Sequence, residues 1–126
     1  MPLANAQPVP FLFTRDRARA RAFYADVLGL RHTASEEHAE CFDLAGTPLR
    51  IVPMADHVAS PHTVLGWEVA DIHATAAALA ARGVTFEIYD GFGQDAGGIW
   101  TSPDGATRLA WFLDPDGNNL SISQHG

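Results

Sequence analysis

At 126 residues, with 47% hydrophobic and 18% charged side chains, the chain has the size of one domain whose core needs neither metal nor disulfide to hold it. A formal charge of −7 offers no attraction to nucleic acid or to an anionic membrane surface, and no apolar run approaches the roughly 20 residues of a membrane-spanning helix. The single cysteine, Cys41, excludes an internal disulfide and reads as a half-buried strand residue rather than a nucleophile.

The opening MPLANAQPVPFLF lacks the basic and apolar regions of a secretory leader, so a cytoplasmic protein is expected, and its prolines predict an extended lead-in. PVPFLFT predicts a strand. TRDRARARAFYADVLGL follows with helix-start chemistry at Thr14 or Asp16, an apolar stripe of Ala20, Phe23, Tyr24, Val27 and Leu28, and Gly29 as the stop. Arg15, Arg17, Arg19 and Arg21 fall at every second position, which scatters them around a helix as a solvated surface rather than one basic stripe. AECFDLAG and PLRIVPM predict strands, with GLRHTA a weaker third, and a loop near 55–61 leads to the strand TVLGWEVA. A second helix runs through DIHATAAALAARG, with Asp71 as cap, Ile72, Ala76, Leu79 and Ala80 as stripe, and Gly83 as stop. TFEIYD, GIWTS, RLAWFL and NLSISQ complete the chain as strands, the middle pair joined into a hairpin at Pro103-Asp104-Gly105.

The helices start about 55 residues apart, and that spacing marks an internal repeat. The expected architecture is α+β: two βαβββ modules, residues 8–55 and 62–124 of a single 1–126 domain. Each places one helix on one sheet face and leaves the other face free to curl around a ligand. Alternation then assigns the faces. Leu120 and Ile122 go to the core, so Asn119, Ser121 and Ser123 face the concavity. Likewise Leu65, Trp67 and Val69 lie under the helix and Val64, Gly66 and Glu68 face the concavity. Leu12 goes to the helix side and Val9, Phe11 and Phe13 to the cup; Leu49 and Ile51 are buried, and Arg50 and Val52 face the cup.

The segments RARAFYADVLGL, VADIHATAAALAARGV and AWFLDPDGNNLSIS, in this order and at these separations, resemble the glyoxalase, bleomycin-resistance and extradiol-dioxygenase superfamily, the vicinal oxygen chelate proteins. The resemblance implies paired βαβββ modules curled into a cup-shaped sheet, usually within a homodimer. Metal-dependent relatives place one His, Gln or Glu ligand on each of four strands. The aligned positions here are Val9, Arg50, Val64 and Ser121: two side chains without a donor atom, a fixed cation, and a hydroxyl that is a poor lone ligand. No cofactor metal is therefore expected. His62, two residues before Val64, could supply a ligand only through a pleat-length shift.

None of the six histidines forms a helical His-x-x-x-His pair. His38 and Glu40 alternate along one predicted strand face, and exposed edge or loop positions are the preferred account of both. The Gly-rich DGFGQDAGGIW lacks a phosphate-loop pattern and leads into a strand, so it reads as a mobile loop, with Phe92 and Trp100 as possible aromatic contacts of a lid. Arg50 and Glu68 are the charges that alternation puts inside the cup. The simplest account pairs them with each other or lets them reach solvent at the rim; the functional one makes Arg50 the anchor of an anionic ligand and Glu68 a general base or hydrogen-bond acceptor. Binding without chemistry is the preferred function, with Phe11, Phe13, Trp100 and Trp111 as aromatic walls and Arg50, Glu68 and Ser121 as polar contacts. The alternative is a glyoxalase- or dioxygenase-like enzyme on a small oxygenated substrate, metal-free or with ligands outside the aligned positions.

Overall fold

Pro8 and Pro10 hold the approach to the first strand extended, and from there the computed structural model describes residues 2–126 in two compact units, one ending at Val58 and the other running from Ala59 to Gly126. In the first unit, β1 (Phe11–Thr14) leads into α1 (Arg17–Ala22), which widens into a π-helical segment (Phe23–Val27) and is followed by β2 (Arg31–Glu36), β3 (Ala39–Leu44) and β4 (Thr47–Pro53). The second repeats the plan with β5 (Thr63–Glu68), α2 (Ile72–Ala81), β6 (Trp100–Thr101), β7 (Thr107–Leu113) and β8 (Asn119–His125). The open four-stranded sheets have matching orders, β1-β4-β3-β2 and β5-β8-β7-β6. In each, the first and last strands are parallel and the other pairs antiparallel.

Both helices start as predicted, on an aspartate. Asp16 accepts from the Arg19 amide and Asp71 from the Ala74 amide, each at 3.1 Å, which satisfies a backbone donor that has no partner within the helix. Where α1 widens, the Leu28 amide reaches back five residues to the Phe23 carbonyl (3.0 Å). Gly29 then turns the chain at a φ of 74° that costs a glycine nothing. Tyr24 and Ala20 from this helix close over Leu12, Phe42, Leu49 and Ile51, all buried. Ile72 and Ala76 from α2 are buried in the second unit, as are Ala110, Phe112, Leu120 and Ile122 of its sheet. Alternation correctly identified the covered face of both sheets.

The sequence-based expectation fails at Glu40. His38 lies in the turn between β2 and β3 and is exposed, so the two donors share no strand face, and Glu40 is only 3% exposed. Glu40 stands opposite Ile51 in the ladder and therefore on the helix-covered side of the sheet. Its carboxylate accepts from Arg17 of α1, from Ser35 (2.6 Å) and from His32 (2.8 Å). The same guanidinium donates to the carbonyls of Glu36, Glu37 and Ala39. Arg17, expected among solvated arginines, thus ties the first turn of α1 to the β2–β3 turn. A carboxylate can be buried here because Arg17, Ser35 and His32 all aim donors at it.

The second correction concerns TFEIYD, which forms no ladder strand. It touches the sheet through a single bridge between Phe86 and Phe112 and through the Glu87 amide bonded to the Trp111 carbonyl (2.7 Å). The backbone beyond is satisfied locally instead. Gln94 accepts from the Tyr89 amide and donates to the Glu87 and Gly98 carbonyls, and Asp95 accepts from the amides of Gly97 and Ile99. The third correction is a bulge. Thr63 pairs with Asn119 and Leu65 with Leu120, so Val64 is an extra residue in β5, and Thr63 rather than Val64 belongs to the Asn119 row.

The Glu40 cluster makes stability depend on acid. Burial works to raise the carboxyl pKa, but the hydrogen bonds from Ser35, Arg17 and His32 outweigh it and hold the group below its ordinary value of 4.5. A depressed folded-state pKa contributes stability that is complete above the unfolded value and lost as pH falls through the folded one. Urea midpoints measured from pH 6 to pH 3 should therefore fall below about pH 4.5 in the wild type and fall less steeply in Glu40→Gln. At neutral pH, Arg17→Ala should cost about 3 kcal/mol, because it leaves a buried carboxylate short of its cation.

Candidate functional site

Register lays out the open face of each sheet as rows. In the first unit Phe11, Arg50 and Cys41 form one row across β1, β4 and β3. Phe11 is 53% exposed, and the ring of Phe13 lies 5.8 Å from that of His57. Arg50 Nη1 donates to Glu36 Oε1 at 2.8 Å and lies 3.7 Å from Cys41 Sγ. That hydrogen bond, ahead of the charge of Glu36 itself, raises the Arg50 pKa further. Burial first, then the Glu36 carboxylate, pushes the Cys41 thiol up. Arg50 and Glu68, expected to pair with each other or to reach solvent at the rim, each have a partner within their own unit. Glu36, at the end of β2, is the partner of Arg50, and Glu68 Oε1 instead meets His125 Nδ1 at 2.5 Å.

In the second unit the rows are Gly66, Ser121 and Trp111; Thr63, Asn119 and Leu113; and Glu68, Ser123, Leu109 and Trp100. A Cβ at Gly66 would stand 2.5 Å from Ser121 Oγ, so the bare glycine is what lets the serine hydroxyl lie across β5. Trp111, Tyr89 and Phe92 form a cluster of rings. Trp111 meets Tyr89 edge-on at 5.5 Å and Phe92 at 5.8 Å, and Tyr89 and Phe92 are 5.5 Å apart. Together with Pro61, His62, Thr63 and Asn119 these rings line an open cavity of about 330 Å³. Behind the rings runs a chain of hydrogen bonds, from the Thr63 hydroxyl to Asn119 Oδ1 (2.8 Å) and from Asn119 Nδ2 to the Tyr89 hydroxyl oxygen (3.0 Å).

Of the aromatic walls expected from sequence, Trp111 sits in this cleft, whereas Trp100 pairs with Leu109 at the sheet edge and does not line it. Phe92, expected in a lid loop, does line it. Ser121 is the row neighbour of Trp111. Tyr89 was missed, because TFEIYD as a strand gave no reason to bring it beside Asn119. A second cavity of about 420 Å³, polar and wide open, is bounded by Glu68, Val69, Ala70, Gln124, His125 and Gly126. The Glu68 and His125 side chains there are 66% and 54% exposed. Among the described residues, no group of three or more His, Cys, Asp or Glu side chains is gathered to hold a metal ion.

Residues 7–122 match the family model for the Glyoxalase/Bleomycin resistance protein/Dioxygenase superfamily. Solved structures share the fold along almost the whole chain. TnmS3, an antibiotic binding protein from Streptomyces sp. CB03234, superposes with a TM-score of 0.74 at 23% identity, covering 98% of each chain. The fosfomycin resistance protein FosX from Listeria monocytogenes gives 0.76 at 13% identity, covering 98% of this chain and 96% of that one. Lactoylglutathione lyase from Agrobacterium tumefaciens gives 0.71 at 18%, covering 95% and 93%. No curated protein matches the sequence.

The contact of Arg50 with both Glu36 and Cys41 predicts the behaviour of the thiol. Native Cys41 should alkylate with iodoacetamide at pH 8 about tenfold more slowly than in urea. Glu36→Gln should quicken the native rate, since it removes an anion beside the thiol and frees the guanidinium. Equal native and unfolded rates would contradict the burial of Cys41.

Proposed function

We propose a small-molecule-binding role, without chemistry on the ligand, for this chain, which belongs to the Glyoxalase/Bleomycin resistance protein/Dioxygenase superfamily. The ligand is a planar ring system, and its seat is the Trp111–Tyr89–Phe92 cleft of the second unit. The observation that carries this reading is the ring cluster itself: three aromatic side chains, one of them half-exposed Phe92, left open to solvent on a face that no helix covers. Aromatic surface of this kind gains most by taking a ring edge-on or in offset stacking. The volume stands at the lower end of ordinary ligand sites, about 300–1,000 Å³. An antibiotic binding protein among the fold relatives is in keeping with the role.

Binding proceeds without a metal. Val9, Arg50, Val64 and Ser121 bring no suitable ligand set, and the groups around the cleft are three aromatic rings, one of them a phenol, with an amide, an aliphatic hydroxyl, one imidazole and a proline. The resemblance adds the expectation of a homodimer, and the same reading keeps the protein in the cytoplasm.

A second reading has one observation in its favour. Glu68 and His125 stand as a carboxylate–imidazole pair at 2.5 Å beside the polar cavity, the arrangement in which a carboxylate orients a general base. Both groups are largely in water, which weakens that pairing, and neither lines the aromatic cleft.

Protein titrated into trace carbazole, followed by the anisotropy of the probe, tests the binding role. Saturable binding should be unaffected by EDTA, weakened about tenfold by Trp111→Ala and unchanged by Trp100→Ala. Binding that needs added metal, or that survives Trp111→Ala intact, would refute it. Turnover of a small oxygenated substrate that is lost in His125→Ala would favour the enzymatic reading.

A further inference from the structure

The hydrogen-bond chain behind the rings has a direction. Asn119 is 4% exposed, and both ends of its amide are engaged, Oδ1 by the Thr63 hydroxyl and Nδ2 by the Tyr89 oxygen. A phenol is at once donor and acceptor. Here the amide fills the acceptor side, so the phenolic proton points away from Asn119. Among the described residues that proton has no acceptor of its own, and Tyr89 is part of the cavity wall. Polarisation passes along such a chain, so the outermost O–H is a better donor than an isolated phenol.

We infer that Tyr89 determines the specificity of this cleft, donating to a planar ligand that carries a neutral acceptor, such as a ring carbonyl, at its edge. The inference rests on the cleft being a ring-binding site and adds the chemistry that site selects. Neutrality follows from the lining: no Lys or Arg borders the cavity, and the chain as a whole carries −7, so nothing nearby offsets the desolvation of an anion. A polar group held ready for a partner discriminates against a ligand that leaves it unpaired far better than an apolar wall discriminates by size.

Acridone and carbazole form a probe pair: both are planar tricycles with one N–H, and only acridone has a carbonyl. Wild-type protein titrated into trace amounts of each should bind acridone about tenfold more tightly. Tyr89→Phe keeps the ring and removes the proton, and should abolish the preference, so that acridone and carbazole bind this variant with equal affinity. Asn119→Asp is the sharper test. Tyr89 stays in place, but a carboxylate has no proton to donate and accepts a hydrogen bond from the phenol instead, so the preference for acridone should vanish although the phenol is present. A purely structural role for either residue would weaken both probes together, and that result overturns the inference. So does a wild type that binds both probes equally, or an Asn119→Asp protein that keeps its preference. Failure of the wild type to bind either probe overturns the ring-site reading, and the specificity role with it.

Discussion

Everything in this structure depends on the parallel pairing of the first strand of each unit with its last, β1 with β4 and β5 with β8. Parallel neighbours cannot be joined by a tight turn, so the chain between them must cross over, and the helix in that crossover covers one face of the sheet. The face opposite is left without a layer of its own. Each unit therefore carries a one-sided core, with Leu49 and Ile51, or Leu120 and Ile122, beneath the helix, and an open face whose side chains are free to differ. In the first unit that pairing also requires an anchor. Arg17 at the start of α1 and Glu40 on β3 provide it, a charged bond across the helix–sheet boundary that apolar packing alone would not place.

Strand periodicity made much of this legible. Leu12, Leu49, Ile51, Leu120 and Ile122 are buried as their alternation requires, and both helices start on the aspartates that cap them. What escaped has a common physical cause. A bulge adds one residue without changing composition, so nothing in TVLGWE reveals that Val64 leaves the ladder and Thr63 joins Asn119. TFEIYD carries β-branched and aromatic residues suited to a strand, yet Gln94 and Asp95, several residues downstream, supply the hydrogen bonds a neighbouring strand would have given. Glu40 looked exposed because a lone carboxylate costs too much to bury. Its partners Arg17 and His32 are brought to it only by the fold, as Tyr89 is to Asn119.

The two open faces differ in a way that bears on what each can hold. The central row of the first unit, Phe11–Arg50–Cys41, carries a cation already neutralised by Glu36. An anionic ligand would have to displace that carboxylate, and its gain would be the difference between two similar ion pairs. The corresponding row of the second unit, Gly66–Ser121–Trp111, is uncharged and has a glycine where the first has a phenylalanine. The place of that side chain is taken by the Ser121 hydroxyl, and the cavity lies against the uncharged side chains of the second unit, at Thr63, Asn119 and Trp111.

Precision at that surface comes from the turn before it. Asp114 accepts from the amides of Asp116 and Asn118 and from the Asn118 side chain, all buried, so the DPDGNN segment is locked by its own hydrogen bonds. Asn119 is the next residue, and β8 starts from it. The amide that orients Tyr89 is thus held by a rigid turn on one side and by the ladder on the other. Tyr89 and Phe92 come from a segment held chiefly by Gln94. Asn119 meets Tyr89 at the phenolic oxygen, so the direction of the hydrogen bond is set before a ligand arrives and less free energy goes into ordering it.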